Sequence, residues 1–166
     1  MHSRKFATVL FTDIVDSTMN AERVGDTAWR DVLDRHDDLC HIEIGVSGGR
    51  WIKSTGDGLL ATFDSPSRAV RSAWTLRDRI RSELGIEIRA GLHAGEIETR
   101  GDDVAGMTVH QAARVQGIAG NSEVIVSSSI GNLIAGSGIA LESCGAHMLK
   151  GISEPCQLYR VLAVSP

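Results

Sequence analysis

Two aspartates and a lysine stand where apolar segments of the chain give way to polar turns. Asp13 follows the apolar run Phe6–Phe11, and both Lys53 and Asp57 lie in the polar centre of the stretch Trp51–Phe63. Carboxylates that meet at the ends of neighbouring strands repel each other unless a cation lies between them. Mg²⁺ binds one or two such carboxylates together with phosphates and water, and two bound metals can clamp both oxygens of an in-line displacement. Taken alone, Lys53 and Asp57 are also typical of a solvated turn.

Signatures of several other chemistries are missing from the sequence. Gly56-Asp57-Gly58 is not part of a GxxxxGK[ST] phosphate-binding loop, and no HExxH metal motif occurs. Three cysteines without CxxC spacing, Cys40, Cys144 and Cys156, predict free thiols in a reducing compartment. We therefore expect a cytoplasmic protein without a disulfide framework or a zinc site.

Composition limits the range of partners. The 166-residue chain carries a net charge of −4 and is 42% hydrophobic, which is typical of a soluble globular protein. Nonspecific nucleic-acid binding is not favoured, because the chain has no general excess of basic residues. No apolar run approaches the roughly 20 residues that span a bilayer, and the N-terminus lacks the features of a signal peptide. We expect one domain over residues 1–166, with its core at about 6–161 and no membrane span.

Hydrophobic periodicity and turn residues predict alternating strands and helices. Strands are predicted at 6–11, 51–52, 59–63, 86–98, 123–126, 139–144 and 156–163. Helices are predicted within 21–44 with a start at Asp26 or Thr27, from Ser65-Pro66 to Gly85, at 107–118, and briefly after 127–129. Residues 99–106 are predicted to form a turn region.

This order of elements predicts an α+β fold. The hairpin around Gly56-Asp57 must be antiparallel, and a ferredoxin-like βαββαβ unit is contained in the pattern. We expect a ferredoxin-like core with a mixed, mainly antiparallel sheet flanked by helices. Phe6–Phe11 would then lie beside the hairpin near the centre of the sheet.

Four segments, in this order, resemble the class III nucleotidyl cyclase catalytic domain, and in particular the bacterial adenylate cyclases. The similarity covers about residues 6–161. The matching segments are Phe11–Val15, Ile52–Gly58, Gly91–Gly95, and Asp103–Gly106 followed by His110 and Arg114. Each segment alone is weakly specific, whereas the combination is highly specific.

The resemblance implies a metal site and a site that reads the purine. Asp13 and Asp57 resemble the two metal-binding aspartates, and the carbonyl of Ile14 resembles a further ligand to two Mg²⁺ or Mn²⁺ ions. Lys53 and Asp103 resemble the pair that reads adenine. A lysine donor and an aspartate acceptor complement N1 and N6 of adenine, whereas guanine reverses both groups. ATP is therefore expected over GTP, because unpaired buried polar groups strongly disfavour the wrong base.

The resemblance also implies residues that act on the phosphates and the ribose. Arg114 resembles the arginine that stabilises the transition state, and its fixed charge suits the negative charge that develops on the α-phosphate. Lys150 and Arg89 resemble residues that hold the triphosphate and the leaving pyrophosphate. His110 stands where the family usually has a ribose-orienting asparagine, and histidine can also donate and accept hydrogen bonds. Asp16 stands where the family often has glycine, and we interpret it as a helix cap.

The activity that the resemblance implies is adenylate cyclase, converting ATP into cyclic AMP and pyrophosphate. It implies a homodimer with two shared active sites, in which one subunit contributes Asp13 and Asp57 and its partner contributes Lys53, Asp103, His110, Arg114 and Lys150. A guanylate cyclase and a cyclase-like regulatory module that binds nucleotide without turnover remain alternatives. A further alternative is another two-metal nucleotidyl transferase, which explains the aspartates but not the combination of Lys53 with Asp103.

Overall fold

The computed structural model describes residues 2–166, in which eight strands form one sheet flanked by five helices. The strands are His2–Ile14 (β1), Gly49–Ser54 (β2), Gly58–Phe63 (β3), Ile88–Arg100 (β4), Asp103–Ala105 (β5), Val124–Ser127 (β6), Ile139–His147 (β7) and Cys156–Val164 (β8). The helices are Ser17–Val24 (α1), Asp26–Val46 (α2), Pro66–Leu84 (α3), Met107–Ile118 (α4) and Ser128–Leu133 (α5). In residues 2–166, no helix combines the length and the apolar character that crossing a bilayer requires.

The sheet confirms the predicted α+β architecture. Its strand order is β2-β3-β1-β4-β6-β8-β7, with β5 paired to β4. Every pairing is antiparallel except that of β4 with β6. The first four strands and the helices between them form the ferredoxin-like βαββαβ unit. As expected, β1 lies beside the hairpin near the centre of the sheet, and β4 is its other neighbour.

The two faces of the sheet pack against different helices. Alternation along β1 sends Leu10 and Ile14 into the main core, to which α2 contributes residues such as Leu39 and α3 residues such as Leu76. Val9 points the other way and packs with Leu60 and Ala112 under α4. Asp13 shares the parity of Val9, so its side chain leaves the sheet on the α4 face.

The helix termini follow from local sequence at some positions and from the fold at others. Ser65 caps α3 by accepting a hydrogen bond from the Arg68 N–H, and Gly85 ends the helix at φ 70°, as the cap and glycine signals predict. The start of α2 at Asp26 is also confirmed. Residues 21–24, however, belong to α1, because the helical conformation is interrupted at Gly25, which has φ 88°.

Asp16 is the N-cap residue of α1, as interpreted from the sequence, but its side chain does not supply the capping contact. Asp16 adopts the left-handed conformation at φ 53° and ψ 39°, and its side chain makes no capping hydrogen bond. Its backbone carbonyl instead accepts the Asn20 N–H at 2.9 Å. Glycine adopts this conformation without a Cβ penalty, and aspartate tolerates it better than most residues.

β1 extends beyond its predicted bounds at both ends and β4 at its C-terminal end, where the two strands pair with each other. β1 and β4 form a continuous antiparallel ladder from His2↔Arg100 to Ile14↔Ile88. The region 99–106, predicted as a turn, contains the short strand β5, which pairs with the end of β4. A tight turn at Gly101, with φ 59°, reverses the chain between them.

A hydrogen-bonded chain of side chains lies beside a cavity of about 300 Å³ next to α4. The Ser129 Oγ accepts the Ala94 N–H at 3.2 Å and lies 2.9 Å from the Ser127 Oγ, which lies 2.6 Å from the His93 Nδ1. The two hydroxyls can donate in sequence, Ser129 to Ser127 and Ser127 to Nδ1, which makes Nδ1 an acceptor. Burial lowers the pKa of His93 from 6.5 to about 4, so the imidazole is neutral at pH 7.

We expect Gly58→Ala to lower the free energy of unfolding by about 1–3 kcal/mol, the usual cost of overpacking. A Cβ at Gly58 would lie 1.8 Å from the Thr12 carbonyl oxygen, so β1 and β3 would have to separate. Urea denaturation measures the change.

Gly45→Ala is the matched control, because Gly45 is exposed on α2 and a Cβ there meets nothing within 4 Å. It should raise the free energy of unfolding by about 0.5–1 kcal/mol. Equal stabilisation by both substitutions would contradict the close approach of β3 to β1.

Acid should weaken the fold through His93. Because the folded pKa is about 4 and the ordinary value is 6.5, the unfolded chain binds the proton first as the pH falls. The stabilisation from keeping this imidazole neutral is fully present above pH 6.5 and is fully lost below pH 4. At pH 5 the free energy of unfolding should be about 2 kcal/mol lower than at neutral pH. Urea denaturation from pH 7 to 5 should therefore show the stability difference between wild type and His93→Asn shrinking by that amount. A difference that stays constant with pH would contradict a neutral, buried imidazole.

Candidate active site

The register of three strands assembles an acidic corner at the end of β1. We use "acidic corner" for Asp13, Ile14, Asp57 and Arg89. Asp13 pairs with Gly58 of β3 on one side and with Arg89 of β4 on the other, so Asp57 immediately precedes a direct partner of Asp13. The Ile14 N–H donates to the Asp57 carbonyl at 2.8 Å, which fixes the turn against the end of β1.

Each carboxylate of the acidic corner has a donor partner. The Arg89 Nη2 donates to the Asp13 Oδ2 at 3.2 Å, with the side chains 37% and 33% exposed. The Ser17 Oγ donates to the Asp57 Oδ2 at 2.6 Å. The negative charge of Asp13 is therefore paired with a positive charge, whereas Asp57 accepts a hydrogen bond from a neutral hydroxyl.

A β-bulge turns Lys53 toward the α4 face. In β2, Trp51 pairs with Ala61 whereas Lys53 pairs with Leu60, so the register shifts between them. Ala61 belongs to the main core and Leu60 to the cluster under α4, so the bulge directs Trp51 and Lys53 to opposite faces. Without the bulge, residues two apart on a strand would share a face.

Lys53 and Asp103 meet on this face. The Lys53 Nζ lies 3.1 Å from the Asp103 Oδ2, and both side chains are about half exposed. The Asp103 Oδ1 accepts the Val104 N–H at 2.8 Å. This backbone hydrogen bond, followed by the Lys53 ammonium, lowers the pKa of Asp103 and keeps it ionised.

Helix α4 presents His110 and Arg114 one turn apart. The His110 Nε2 lies 3.3 Å from the Lys150 carbonyl oxygen, so α4 contacts the loop that follows β7. Gly151 has φ 83°, and a Cβ there would lie 2.7 Å from the His110 Nε2. The Nε atoms of Arg114 and Arg89 are buried without a hydrogen-bond partner.

The predicted site residues thus fall into separate groups within one chain. Among residues 2–166, no side-chain hydrogen bond or ion pair joins the acidic corner to the Lys53–Asp103 pair or to the α4 residues. The same residues contain no group of three or more His, Cys, Asp and Glu side chains suited to a metal ion. An oxygen donor set limited to two carboxylates and a carbonyl suits a hard cation that keeps its other positions for phosphate or water.

Ser17 makes the contact that the sequence did not reveal. Its bond to Asp57 joins residues 40 positions apart and depends on the pairing of β1 with β3. No local pattern reports that pairing.

Curated relatives match most of this chain but only part of their own lengths. The serine/threonine-protein kinase pkn2 of Myxococcus xanthus is 29% identical over 160 residues, which cover 92% of this chain and 19% of the relative. An adenylate cyclase of Glutamicibacter nicotianae is 28% identical over 125 residues, covering 75% of this chain and 31% of the relative. This chain therefore spans less than a third of the length of either relative.

Solved structures of cyclases share the fold. The adenylyl cyclase CyaB of P. aeruginosa superposes with a TM-score of 0.91 at 23% identity, covering 99% of this chain and 97% of that one. The guanylate cyclase domain of RhGC from Catenaria anguillulae, solved with GTP, gives a TM-score of 0.86 at 22% identity, with coverages of 98% and 100%. These likenesses establish the fold and do not separate the two substrates.

The family model for the adenylate and guanylate cyclase catalytic domain matches residues 1–163. Because this match spans nearly the whole chain, the protein belongs to the class III adenylate and guanylate cyclase catalytic domain family.

Proposed function

We propose that this domain is an adenylate cyclase that converts ATP into 3′,5′-cyclic AMP and pyrophosphate. The observation that carries the choice of base is the Lys53–Asp103 pair, in which a donor and an acceptor lie 3.1 Å apart on the α4 face. Adenine offers an acceptor at N1 and a donor at N6, so both side chains find complementary partners. Guanine presents the reverse pattern and would leave them unpaired.

The acidic corner fits divalent cations. Asp13 and Asp57 and the Ile14 carbonyl would hold two Mg²⁺ or Mn²⁺ ions, and the present partners of both carboxylates are hydrogen-bond donors, as expected of groups that attract a cation. When bound, the ions would lower the pKa of the ribose 3′-hydroxyl and neutralise negative charge on the phosphates. We assign no side chain as the general base.

The arginines fit an anionic substrate. Arg89 and Arg114 each keep a buried Nε without a partner, and an unpaired buried donor is costly unless a ligand satisfies it. The partly exposed guanidinium groups of both residues could pair with triphosphate oxygens. Arg114 would stabilise the charge that develops on the α-phosphate during in-line attack, and Arg89 and Lys150 would hold the phosphates that leave.

His110 would orient the ribose in place of the asparagine that is usual in the family. Its Nε2 already lies 3.3 Å from the Lys150 carbonyl, so the imidazole is held beside the loop of a proposed phosphate-binding lysine. Gly151 permits this approach, since a Cβ there would lie 2.7 Å from the ring nitrogen. Ribose and phosphate binding would therefore be linked through α4.

The separation of these groups within one chain supports a shared site. We propose a two-fold homodimer in which the acidic corner of one subunit faces Lys53, Asp103, His110, Arg114 and Lys150 of the other. One solved relative is described as a dimeric guanylyl cyclase domain, although a non-canonical one. Each dimer would contain two such sites, and a monomer would be inactive.

Charge reversal at Lys53 tests the choice of base. In parallel assays of cyclic AMP and cyclic GMP formation with Mn²⁺, wild type should prefer ATP, and Lys53→Glu should lower kcat/KM for ATP on the order of 10³-fold. The introduced carboxylate would repel Asp103 and remove the donor to N1. The ratio of ATP to GTP turnover should fall accordingly.

Arg50→Glu is the matched control for that experiment. Arg50 lies on the same strand and pairs with Asp102 at 3.4 Å, but it has no role in the proposed site. The loss of this exposed pair should change ATP turnover by no more than about fivefold. A wild-type preference for GTP would favour guanylate cyclase, and nucleotide binding without cyclic product would favour a regulatory module.

Mixed dimers test the shared site. Asp13→Ala and Arg114→Ala should each abolish most activity, but a random equimolar mixture should recover about a quarter of the wild-type rate. Half of the dimers would be mixed, and each mixed dimer would keep one of its two sites intact. Cyclic AMP formation after mixing and verified subunit exchange gives the measurement.

Asp13→Ala mixed with Asp57→Ala is the matched control, since both residues belong to the same half of the site. That mixture should stay inactive. Absence of recovery in a verified Asp13→Ala and Arg114→Ala heterodimer would contradict assembly across the dimer.

A further inference from the structure

Asp57 is held twice by the segment that runs from the end of β1 into α1. The Ile14 N–H donates to its backbone carbonyl at 2.8 Å, and the Ser17 Oγ donates to its carboxylate at 2.6 Å. One short segment thus fixes both the turn that carries Asp57 and the direction of its side chain. An O–H···O⁻ bond of this length is among the stronger hydrogen bonds in proteins.

The backbone around Ser17 explains why its hydroxyl reaches Asp57. Asp16 adopts φ 53° and turns the chain sharply from β1 into α1. The Asn20 side chain donates to the Val15 carbonyl at 3.1 Å, and the Asn20 N–H donates to the Asp16 carbonyl at 2.9 Å. Asn20 therefore holds both turn residues that precede Ser17. Ser17 is the first residue of α1, and its hydroxyl is directed at a carboxylate 40 positions away.

The two carboxylates of the acidic corner are therefore held in different ways. Arg89 brings a positive charge to Asp13, and such a charge competes with a cation for the same oxygens. The Ser17 hydroxyl is neutral and uses one acceptor site of the Asp57 carboxylate, which has about four. The Ser17 bond leaves acceptor sites of Asp57 free for a cation and adds no charge, whereas the positive charge of Arg89 opposes a cation at Asp13.

We propose that Ser17 is a positioning residue that orients the Asp57 carboxylate for divalent-cation binding. The inference rests on the proposed function, because it takes Asp57 as a metal ligand. Carboxylates that bind metals are themselves oriented by hydrogen bonds, and removing such a partner weakens metal binding by about 10–100-fold. Ser17 would act through Asp57 without touching the cation.

The test measures Mn²⁺ affinity directly. Mn²⁺ is titrated into the intact protein in the presence of 3′-deoxy-ATP, and free Mn²⁺ is measured by electron paramagnetic resonance. This nucleotide lacks the attacking hydroxyl and cannot react. Ser17→Ala should raise the Mn²⁺ Kd about 10–100-fold. Ser17→Thr keeps the hydroxyl and should restore the Kd to within about threefold of wild type, with thermal unfolding confirming that each variant is folded.

Thr18→Ala is the matched control, since Thr18 is the adjacent exposed hydroxyl residue. It should leave the Mn²⁺ Kd unchanged. Asp57→Asn separates the hypothesis of a metal site at Asp57 from the hypothesis that Ser17 positions Asp57. If Asp57→Asn weakens Mn²⁺ binding while Ser17→Ala does not, the positioning role is wrong and the metal site stands. If Asp57→Asn and wild type bind Mn²⁺ equally, the proposed metal site is wrong and the role of Ser17 fails with it.

Discussion

The pairing of β1 with β3 and β4 is the constraint on which the candidate site depends. Asp13 lies opposite Gly58 on one side and opposite Arg89 on the other, so a single register brings a carboxylate, a turn and a guanidinium together. Side chains alternate along a strand, and a slip of one residue would turn Asp13 from the α4 face into the core formed with α2 and α3. The ladder of β1 with β4, from His2 to Ile14, makes such a slip costly because every buried side chain would change faces.

Charge pairing within one chain explains how these polar groups are tolerated without a ligand. Asp13 forms an ion pair with Arg89, and Asp103 forms an ion pair with Lys53. Asp57 accepts a hydrogen bond from the Ser17 hydroxyl, and Asp103 accepts another from the Val104 N–H. Arg89 and Lys53 are also groups that suit phosphate and purine. With the proposed function, binding of substrate and cations would exchange the Arg89–Asp13 and Lys53–Asp103 pairs for external ones, so the net gain would be smaller than the new contacts alone suggest.

Much of the fold could be predicted from local signals. The bounds of α4, the Ser65 cap and the β2–β3 hairpin follow from periodicity and turn residues alone. The bulge that directs Lys53 to the α4 face, the left-handed Asp16 and the bond from Ser17 to Asp57 could not be predicted in this way. The bulge and the Ser17–Asp57 bond depend on how distant strands align, and no short window of sequence contains that information. The glycine that the family often has at position 16 was the signal for the left-handed Asp16. Resemblance to the family supplied the proposed site residues, but it did not supply the bulge or the Ser17 bond.

The fold and the choice of base rest on different residues. Buried side chains such as Leu10, Leu60 and Leu92 specify the sheet, and the same architecture occurs in an adenylyl cyclase and in a guanylate cyclase domain solved with GTP. Lys53 and Asp103 are about half exposed, and an exposed ion pair contributes little to folding stability. The residues that would read the purine can therefore change while the core remains intact. For this reason the proposed preference for ATP depends on the chemistry of two side chains, and a high TM-score adds nothing to it.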